Sequence, residues 1–127
     1  MEQKFYICEK CGNIIAMVTK GRGTVRCCGE PMKEIIPGTA DAAAEKHVPA
    51  WKVEGNLVRV DVGEVHHPML DAHYIEWVSL QTREGNQRKF LKPGQEPVVT
   101  FAITEGDEVE AVYAYCNLHG LWKQSNN

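Results

Sequence analysis

The chain has 127 residues and a mass of 14.3 kDa, with 14 basic and 17 acidic side chains and a formal net charge of -3. A chain of this size buries roughly two-thirds of its unfolded surface, which supports one good core and at most a small appendage. Its 43% hydrophobic and 24% charged content exclude a collagenous or wholly disordered chain. The slight negative charge, without a long run of one sign, argues against nucleic acid as a partner.

Two features bear on the cellular location. The longest apolar stretch, residues 98–103, is far shorter than the roughly 20 residues that cross a bilayer. The N-terminal sequence lacks the apolar segment of a secretory signal. We therefore expect no membrane association and a location in the reducing cytoplasm, where clustered cysteines more often bind metal than form disulfides.

The N-terminal 37 residues hold four of the five cysteines. Turn and strand signals predict strands at residues 5–7 and 14–18, a cysteine-containing turn between them, a glycine turn at 20–23, and an extended segment that leads into Cys27 and Cys28. So short a unit has too little apolar surface to fold alone, so we expect bound metal to supply the folding free energy. Pro37 and Gly38 mark the predicted boundary between domains 1–37 and 38–127.

Residues 38–127 have the pattern of a β-sandwich. The alanine-rich segment 40–46 predicts a short helical turn, and Gly55-Asn56 predicts a hairpin. Val58, Val60 and Val62 alternate with charged residues, as in a half-buried strand. Further strands are predicted at 74–80, 88–91, 98–103 and 109–115. About seven short strands separated by turns predict an all-β chain with an antiparallel sandwich of immunoglobulin-like type.

Four cysteines form the first candidate metal site. Cys8 and Cys11 are spaced to place two sulfur atoms on one turn, where Gly12 permits the backbone to fold back. Cys27 and Cys28 are adjacent, so they reach one ion only if the backbone bends, and Gly29 favours that bend. Four thiolates suit zinc or a single iron, and the spacing alone favours neither.

The second candidate site combines histidines with the lone Cys116. His47, His67, His73, Cys116 and His119 all fall at predicted turns, which converge at one end of a sandwich. The adjacent His66 is left out, because neighbouring side chains on an extended backbone point apart. Five donors exceed a tetrahedral zinc site, whereas a six-coordinate metal keeps one position open for a small oxygen species.

A copper electron carrier is the rival interpretation of this second cluster. A cysteine followed closely by a histidine suits blue copper, which also uses a weak axial methionine soon after that histidine. No methionine occurs after Met69, so copper ranks lower than iron. A zinc knuckle joined to a sandwich, acting as a binding module without enzymatic activity, is the other alternative.

Taken together, these motifs resemble desulfoferrodoxin, the two-iron class of superoxide reductase. The resemblance spans nearly the whole chain and rests on Cys8-x-x-Cys11, Cys27-Cys28, Glu45-Lys46-His47-Val48-Pro49, His67-Pro68-Met69, His73-Tyr74-Ile75 and Cys116-Asn117-Leu118-His119-Gly120. It implies a desulforedoxin-like N-terminal domain whose four cysteines hold one iron. It also implies a second, square-pyramidal iron with His47, His67, His73 and His119 equatorial and Cys116 axial.

The resemblance also implies an activity and partners. The expected reaction is the one-electron reduction of superoxide to hydrogen peroxide without release of dioxygen, as a defence against oxidative stress. Glu45 is expected to occupy the sixth position of the oxidised iron, and Lys46 to lie above the open face. A rubredoxin-like electron donor and a homodimer are further expectations.

Overall fold

A computed structural model describes residues 2–40 and 42–125. The chain divides into two compact units, Met1–Ile36 and Pro37–Asn127. Within the described ranges, no helix has the length and apolar character needed to span a membrane.

The first unit consists of short antiparallel strands around a small apolar centre. Its middle strand carries Phe5, whose side chain is almost fully buried. The strands are β1 (Phe5–Ile7), β2 (Ile14–Ala16), β3 (Arg26–Cys27), β4 (Glu30–Pro31) and β5 (Lys33–Glu34). One sheet has the strand order β2-β1-β5, and β3 pairs separately with β4. The predicted second strand was too long, because β2 ends at Ala16 and Val18 is exposed.

The second unit is a sandwich of two antiparallel sheets. The strands are β6 (Pro49–Glu54), β7 (Leu57–Val62), β8 (Ile75–Thr82), β9 (Asn86–Phe90), β10 (Val98–Ala102), β11 (Val109–Cys116) and β12 (Gly120–Ser125). A short helix, α1 (Ala44–His47), precedes the first of these strands. One sheet has three strands in the order β10-β7-β6, and the other has four in the order β12-β11-β8-β9.

The core of this unit lies between the two sheets. Val58, Val60 and Val62 are fully buried, which confirms the predicted alternation along β7. They pack in one cluster with residues of the opposite sheet, including Leu80 and Val112. Burial of such aliphatic side chains contributes roughly 1.5–3 kcal/mol each. The prediction of an all-β chain with a small metal unit followed by an antiparallel sandwich is confirmed.

Two local features differ from the prediction. The helix covers Ala44–His47 rather than residues 40–46, of which Asp41 lies outside the described residues. It ends there because Val48 precedes Pro49 and adopts an extended conformation, with ψ at 122°. Strand β12 was missed because Leu121 and Trp122 are consecutive and both buried, so its sequence lacks alternation.

The strand register brings several loops to one end of the sandwich. Strands β8 and β11 pair from Val109 with Thr82 to Cys116 with Ile75, with a register shift between Tyr115 and Cys116. Cys116 also pairs with Gly120 across the turn into β12. Cys116 and the turn after it therefore lie at the end of the sandwich where β8 begins.

Candidate metal centres

The four N-terminal cysteines come together as predicted. The sulfur atoms of Cys8, Cys11, Cys27 and Cys28 all lie within 4.8 Å of one another. The Sγ atoms of Cys11 and Cys27 are 3.6 Å apart, and those of Cys27 and Cys28 are 4.0 Å apart. Because a disulfide requires an S–S distance near 2.05 Å, these are free thiols grouped around a common point.

Two backbone turns produce this grouping. In the first, the Gly12 N–H donates to the Cys8 carbonyl oxygen at 2.8 Å, and Gly12 has φ at 84°. In the second, Cys28 itself adopts a left-handed conformation, with φ at 53°, and Gly29 follows at 77°. The adjacent cysteines require a bend, which the sequence predicted at Gly29. In the structure the bend begins one residue earlier, at Cys28.

The pKa values of the cysteine side chains explain why this cluster suits a cation. A hydrogen bond from the Cys11 backbone N–H lowers the pKa of Cys8 to about 7. Hydrogen bonds to the neighbouring sulfur atoms, first that of Cys11, raise the pKa of Cys28, and the nearby negative charge adds to the effect. Four neighbouring thiolates therefore need a positive ion between them, and an all-sulfur donor set of this size fits zinc or iron.

The second cluster surrounds Cys116. Donor atoms of His47, His67, His73 and Cys116 lie within 4.8 Å of one another. His119 joins them, with its Nδ1 atom 3.1 Å from His47 Nε2 and 3.9 Å from Cys116 Sγ. Donors from five separate positions in the chain thus converge at one place.

The four imidazole rings form a closed ring. Centroids of successive rings in the order His47, His67, His73, His119 and back to His47 are 4.6, 4.7, 5.1 and 5.0 Å apart. Neighbouring rings are nearly perpendicular, and the diagonal from His47 to His73 is longer, at 6.4 Å. Four nearly equal sides and a longer diagonal place the four rings around a common point, more than the two histidines of a blue copper site.

Hydrogen bonds orient two of the rings. His47 Nδ1 donates to the Ala43 carbonyl oxygen and His67 Nδ1 to the Pro68 carbonyl oxygen, each at 2.7 Å, when the proton is assigned to Nδ1. That assignment leaves both Nε2 atoms as acceptors. The buried Nε2 atoms of His67 and His73 have no hydrogen-bond partner among the described residues. Unpaired buried imidazole nitrogens next to one another fit a metal ion.

Burial favours the neutral form of three of these imidazoles. It lowers the pKa of His67 to about 4 and also lowers the pKa values of His47 and His73. Burial raises the pKa of the Cys116 thiol, although hydrogen bonds from the His119 and Leu118 backbone partly oppose it. Neutral imidazole is the form that binds metal, and a buried thiolate requires a cation beside it. The donor set therefore fits a metal such as iron.

The remaining candidate residues lie near this cluster but are exposed. Glu45 and Lys46 both occupy α1, directly before His47. Burial and the neighbouring histidines lower the pKa of His73, and the positive charge of Lys46 lowers it further. Glu45 lines a surface cavity of about 710 Å³ with Trp51 and other side chains. The structure thus places Lys46 within electrostatic reach of the ring, and Glu45 on the wall of that cavity.

His66 lies apart from the four clustered imidazole rings. Its side chain is about half exposed, and its Nε2 atom lies 3.5 Å from Asp61 Oδ1. His67, the next residue, is buried and contributes its ring to the cluster. Adjacent side chains point to different places, as the extended backbone before Pro68 predicts.

Comparisons with known proteins agree with this geometry. Residues 39–125 match the desulfoferrodoxin family, and residues 1–35 match the desulfoferrodoxin N-terminal domain. The chain belongs to the desulfoferrodoxin family. Both clusters lie within the matched regions of the chain, and the predicted family is confirmed.

Individual relatives of this desulfoferrodoxin family member cover almost its full length. A desulfoferrodoxin homolog of Archaeoglobus fulgidus is 50% identical, over 93% of each chain. A desulfoferrodoxin of Nitratidesulfovibrio vulgaris is 47% identical, over 96% of this chain and 95% of the relative. The crystal structure of the superoxide reductase from Treponema pallidum is 42% identical, with a TM-score of 0.83, and covers 98% of this chain and 100% of that one.

Two further residues of this desulfoferrodoxin-type site were missed from the sequence. The Trp122 indole stacks on His47 with centroids 4.9 Å apart, and its Nε1 donates to the His119 carbonyl oxygen at 3.1 Å. Asn117 Oδ1 accepts from the Tyr74 N–H at 2.9 Å, and its Nδ2 donates to the Ala72 carbonyl oxygen at 3.0 Å. Trp122 thus holds two rings in place, and Asn117 joins the Cys116 turn to the loop that carries His73.

Proposed function

We propose that this protein is a superoxide reductase that converts superoxide, one electron and two protons into hydrogen peroxide and releases no dioxygen. The observation that supports this conclusion most directly is the group of four imidazoles around one point beside the buried sulfur of Cys116. A metal ion that accepts six ligands would keep one position for a diatomic anion if these five residues held it.

The chain holds two iron ions, one in each cluster. We assign the second iron to His47, His67, His73, His119 and Cys116. A ferrous ion held there would supply the single electron that superoxide accepts. Imidazole binds metal in its uncharged form, so these ligands would leave the positive charge of a bound iron largely uncompensated, which favours an anionic substrate. The Cys116 thiolate contributes the one negative charge and donates electron density to the metal.

Lys46 is proposed to attract the substrate. It is exposed on α1, directly before the buried His47. A positive side chain at the entrance raises the association rate of an anion, and salt weakens the effect. Lys46 also orders a water that donates a proton. We propose that Glu45, its neighbour, displaces the product and then closes the oxidised site.

The N-terminal domain, residues 1–37, is proposed to hold the other iron through Cys8, Cys11, Cys27 and Cys28, whereas residues 38–127 carry the reacting site. The substrate is superoxide, and a small donor protein supplies electrons. We propose rubredoxin as that donor. A homodimer is supported by the exposed edge strand β9, where Phe90 is 74% exposed. A cytoplasmic location is supported by the free cysteines among the described residues.

A stoichiometry experiment tests the activity. The fully reduced protein is mixed with superoxide in an anaerobic stopped-flow instrument, and peroxide and dioxygen are both measured. We expect one peroxide for each superoxide consumed and no dioxygen. Evolution of dioxygen would indicate a dismutase and contradict the proposal. Metal analysis of the same sample separates the alternatives, since a binding module contains zinc and an electron carrier copper.

A further inference from the structure

Gly63 lies where strand β7 ends and the loop to His67 begins. It is buried and has φ at 88°, a conformation that residues with a side chain rarely adopt. A Cβ atom at this position would lie 2.5 Å from the Val65 carbonyl oxygen, 2.6 Å from the Lys46 carbonyl oxygen and 2.8 Å from the Lys46 carbonyl carbon. The backbone of this loop therefore touches the peptide group between Lys46 and His47.

Backbone hydrogen bonds fix the same two segments to each other. The Gly63 N–H donates to the Val48 carbonyl oxygen at 3.0 Å, and the Val65 N–H donates to the Glu45 carbonyl oxygen at 3.2 Å. The His67 N–H in turn donates to the Val62 carbonyl oxygen at 3.2 Å. The loop thus connects the segment that carries Lys46 and His47 directly to the residue that carries the His67 ring.

A side chain at position 63 could not be accommodated by a small rotation. All three atoms that it would meet are backbone atoms, which move only with their whole segment. Because Cβ atoms essentially never approach other heavy atoms within 3.0 Å, the Lys46 carbonyl oxygen would have to move by about 0.4 Å, or the loop by a similar amount. Either movement shifts Lys46 and His47 relative to His67.

We propose that Gly63 is a positioning residue for superoxide reduction, because only glycine lets this loop hold the Lys46–His47 peptide against the segment that carries His67. The inference rests on the proposed function and deepens it. It assigns the correct placement of Lys46 and the His47 ring to a residue that touches neither substrate nor metal.

Gly63→Ala and Gly106→Ala form a matched pair that separates the close contact from backbone strain. Gly106 has φ at 89°, almost the same as Gly63, but a Cβ there would meet nothing within 4 Å. It lies in the turn before β11, whereas Cys116 lies at the other end of that strand. Both variants therefore place alanine at nearly the same φ, and only the first also carries the close contacts with the backbone of Val65 and Lys46.

The readouts are iron content, the visible spectrum of the oxidised protein, and the second-order rate constant with superoxide at several salt concentrations. For Gly63→Ala we expect an altered spectrum of the histidine centre, a rate constant about tenfold lower at low salt, and a weaker salt dependence. The absorption of the four-cysteine centre, within the same chain, is the internal control. Gly106→Ala should keep the native spectrum and a rate constant within about twofold of native.

If Gly63→Ala does not fold, Val65→Pro replaces it, because proline removes the N–H that donates to Glu45 without adding an atom at position 63. The same changes of spectrum and salt dependence are expected. The inference is overturned if Gly63→Ala, or Val65→Pro in its place, matches Gly106→Ala in spectrum, rate constant and salt dependence. An inactive native protein would instead contradict the proposed function.

Discussion

Replacement of Asn117 by alanine should loosen the connection between the Cys116 turn and the loop that carries His73. The Asn117 side chain makes two hydrogen bonds to this loop, one from the Tyr74 N–H and one to the Ala72 carbonyl oxygen. The Asn117 backbone N–H makes a third, to the Tyr74 carbonyl oxygen at 3.2 Å, which alanine retains. The substitution therefore removes two of the three links and leaves the strands themselves unchanged.

The expected loss of unfolding free energy follows from these contacts. Each hydrogen bond contributes about 1 kcal/mol net, and the Tyr74 N–H, which is partly buried, also loses its acceptor. The sum is about 2 kcal/mol of unfolding free energy, which corresponds to a melting temperature lower by roughly 10 °C in a unit of this size. His73 keeps its two backbone hydrogen bonds to Leu70, but its loop is held less firmly to the Cys116 turn, so we also expect weaker binding of ferrous iron at the histidine centre.

Differential scanning calorimetry and titration with ferrous iron measure the two effects. Asn86→Ala, at an exposed position on β9, is the matched control and should change neither value. A melting temperature within about 2 °C of native, together with native iron affinity, would show that Asn117 does not hold the loop and would refute the reasoning.

The remaining predictions concern the site itself. Lys46→Ile should lower the rate constant for superoxide about tenfold at low salt with both irons bound, while Lys52→Ile should not; equal rates would remove Lys46 from the mechanism. Glu45→Ala should change the visible spectrum of the oxidised protein but not the first encounter with superoxide, and identical spectra would refute its closing role. Cys116→Ser should abolish the thiolate-to-iron charge-transfer band and most activity without unfolding; retained colour at that centre would contradict the assignment. In metal-free protein, the stability measured by thermal unfolding should fall as the pH drops from about 6.5 toward 4. In this range His67 binds a proton in the unfolded chain but not in the folded protein, where its pKa is about 4. Constant stability over this range would contradict the argument that burial keeps His67 neutral.

Local patterns made much of the fold predictable. The alternation of Val58, Val60 and Val62 identified a strand because a half-buried strand imposes that period on its own sequence. The hairpin at Gly55-Asn56 was found for a similar reason, since the turn requires those residue types. Strand β12 has no such period, because both Leu121 and Trp122 are buried.

The two metal clusters were predictable because grouped cysteines and histidines in such numbers usually bind metal. Cys8 and Cys11 form a motif within a single turn, and the sequence order of the histidines matched that of a known family. The supporting contacts were not predictable. Asn117 binds a loop 43 residues earlier in the chain, and Trp122 contacts His47, which is even more distant from it in the sequence. Such pairings depend on the folded register, which no local pattern of asparagine, tryptophan or glycine encodes.

The location of the metals is tested most directly by a crystal structure of the purified protein with anomalous diffraction data at the iron edge. We predict two iron peaks for each chain. One should lie among the four N-terminal sulfur atoms, and the other should lie within bonding distance of Cys116 Sγ and of one nitrogen from each of His47, His67, His73 and His119. A second peak elsewhere, or a peak without Cys116 among its ligands, would contradict the proposed reaction site.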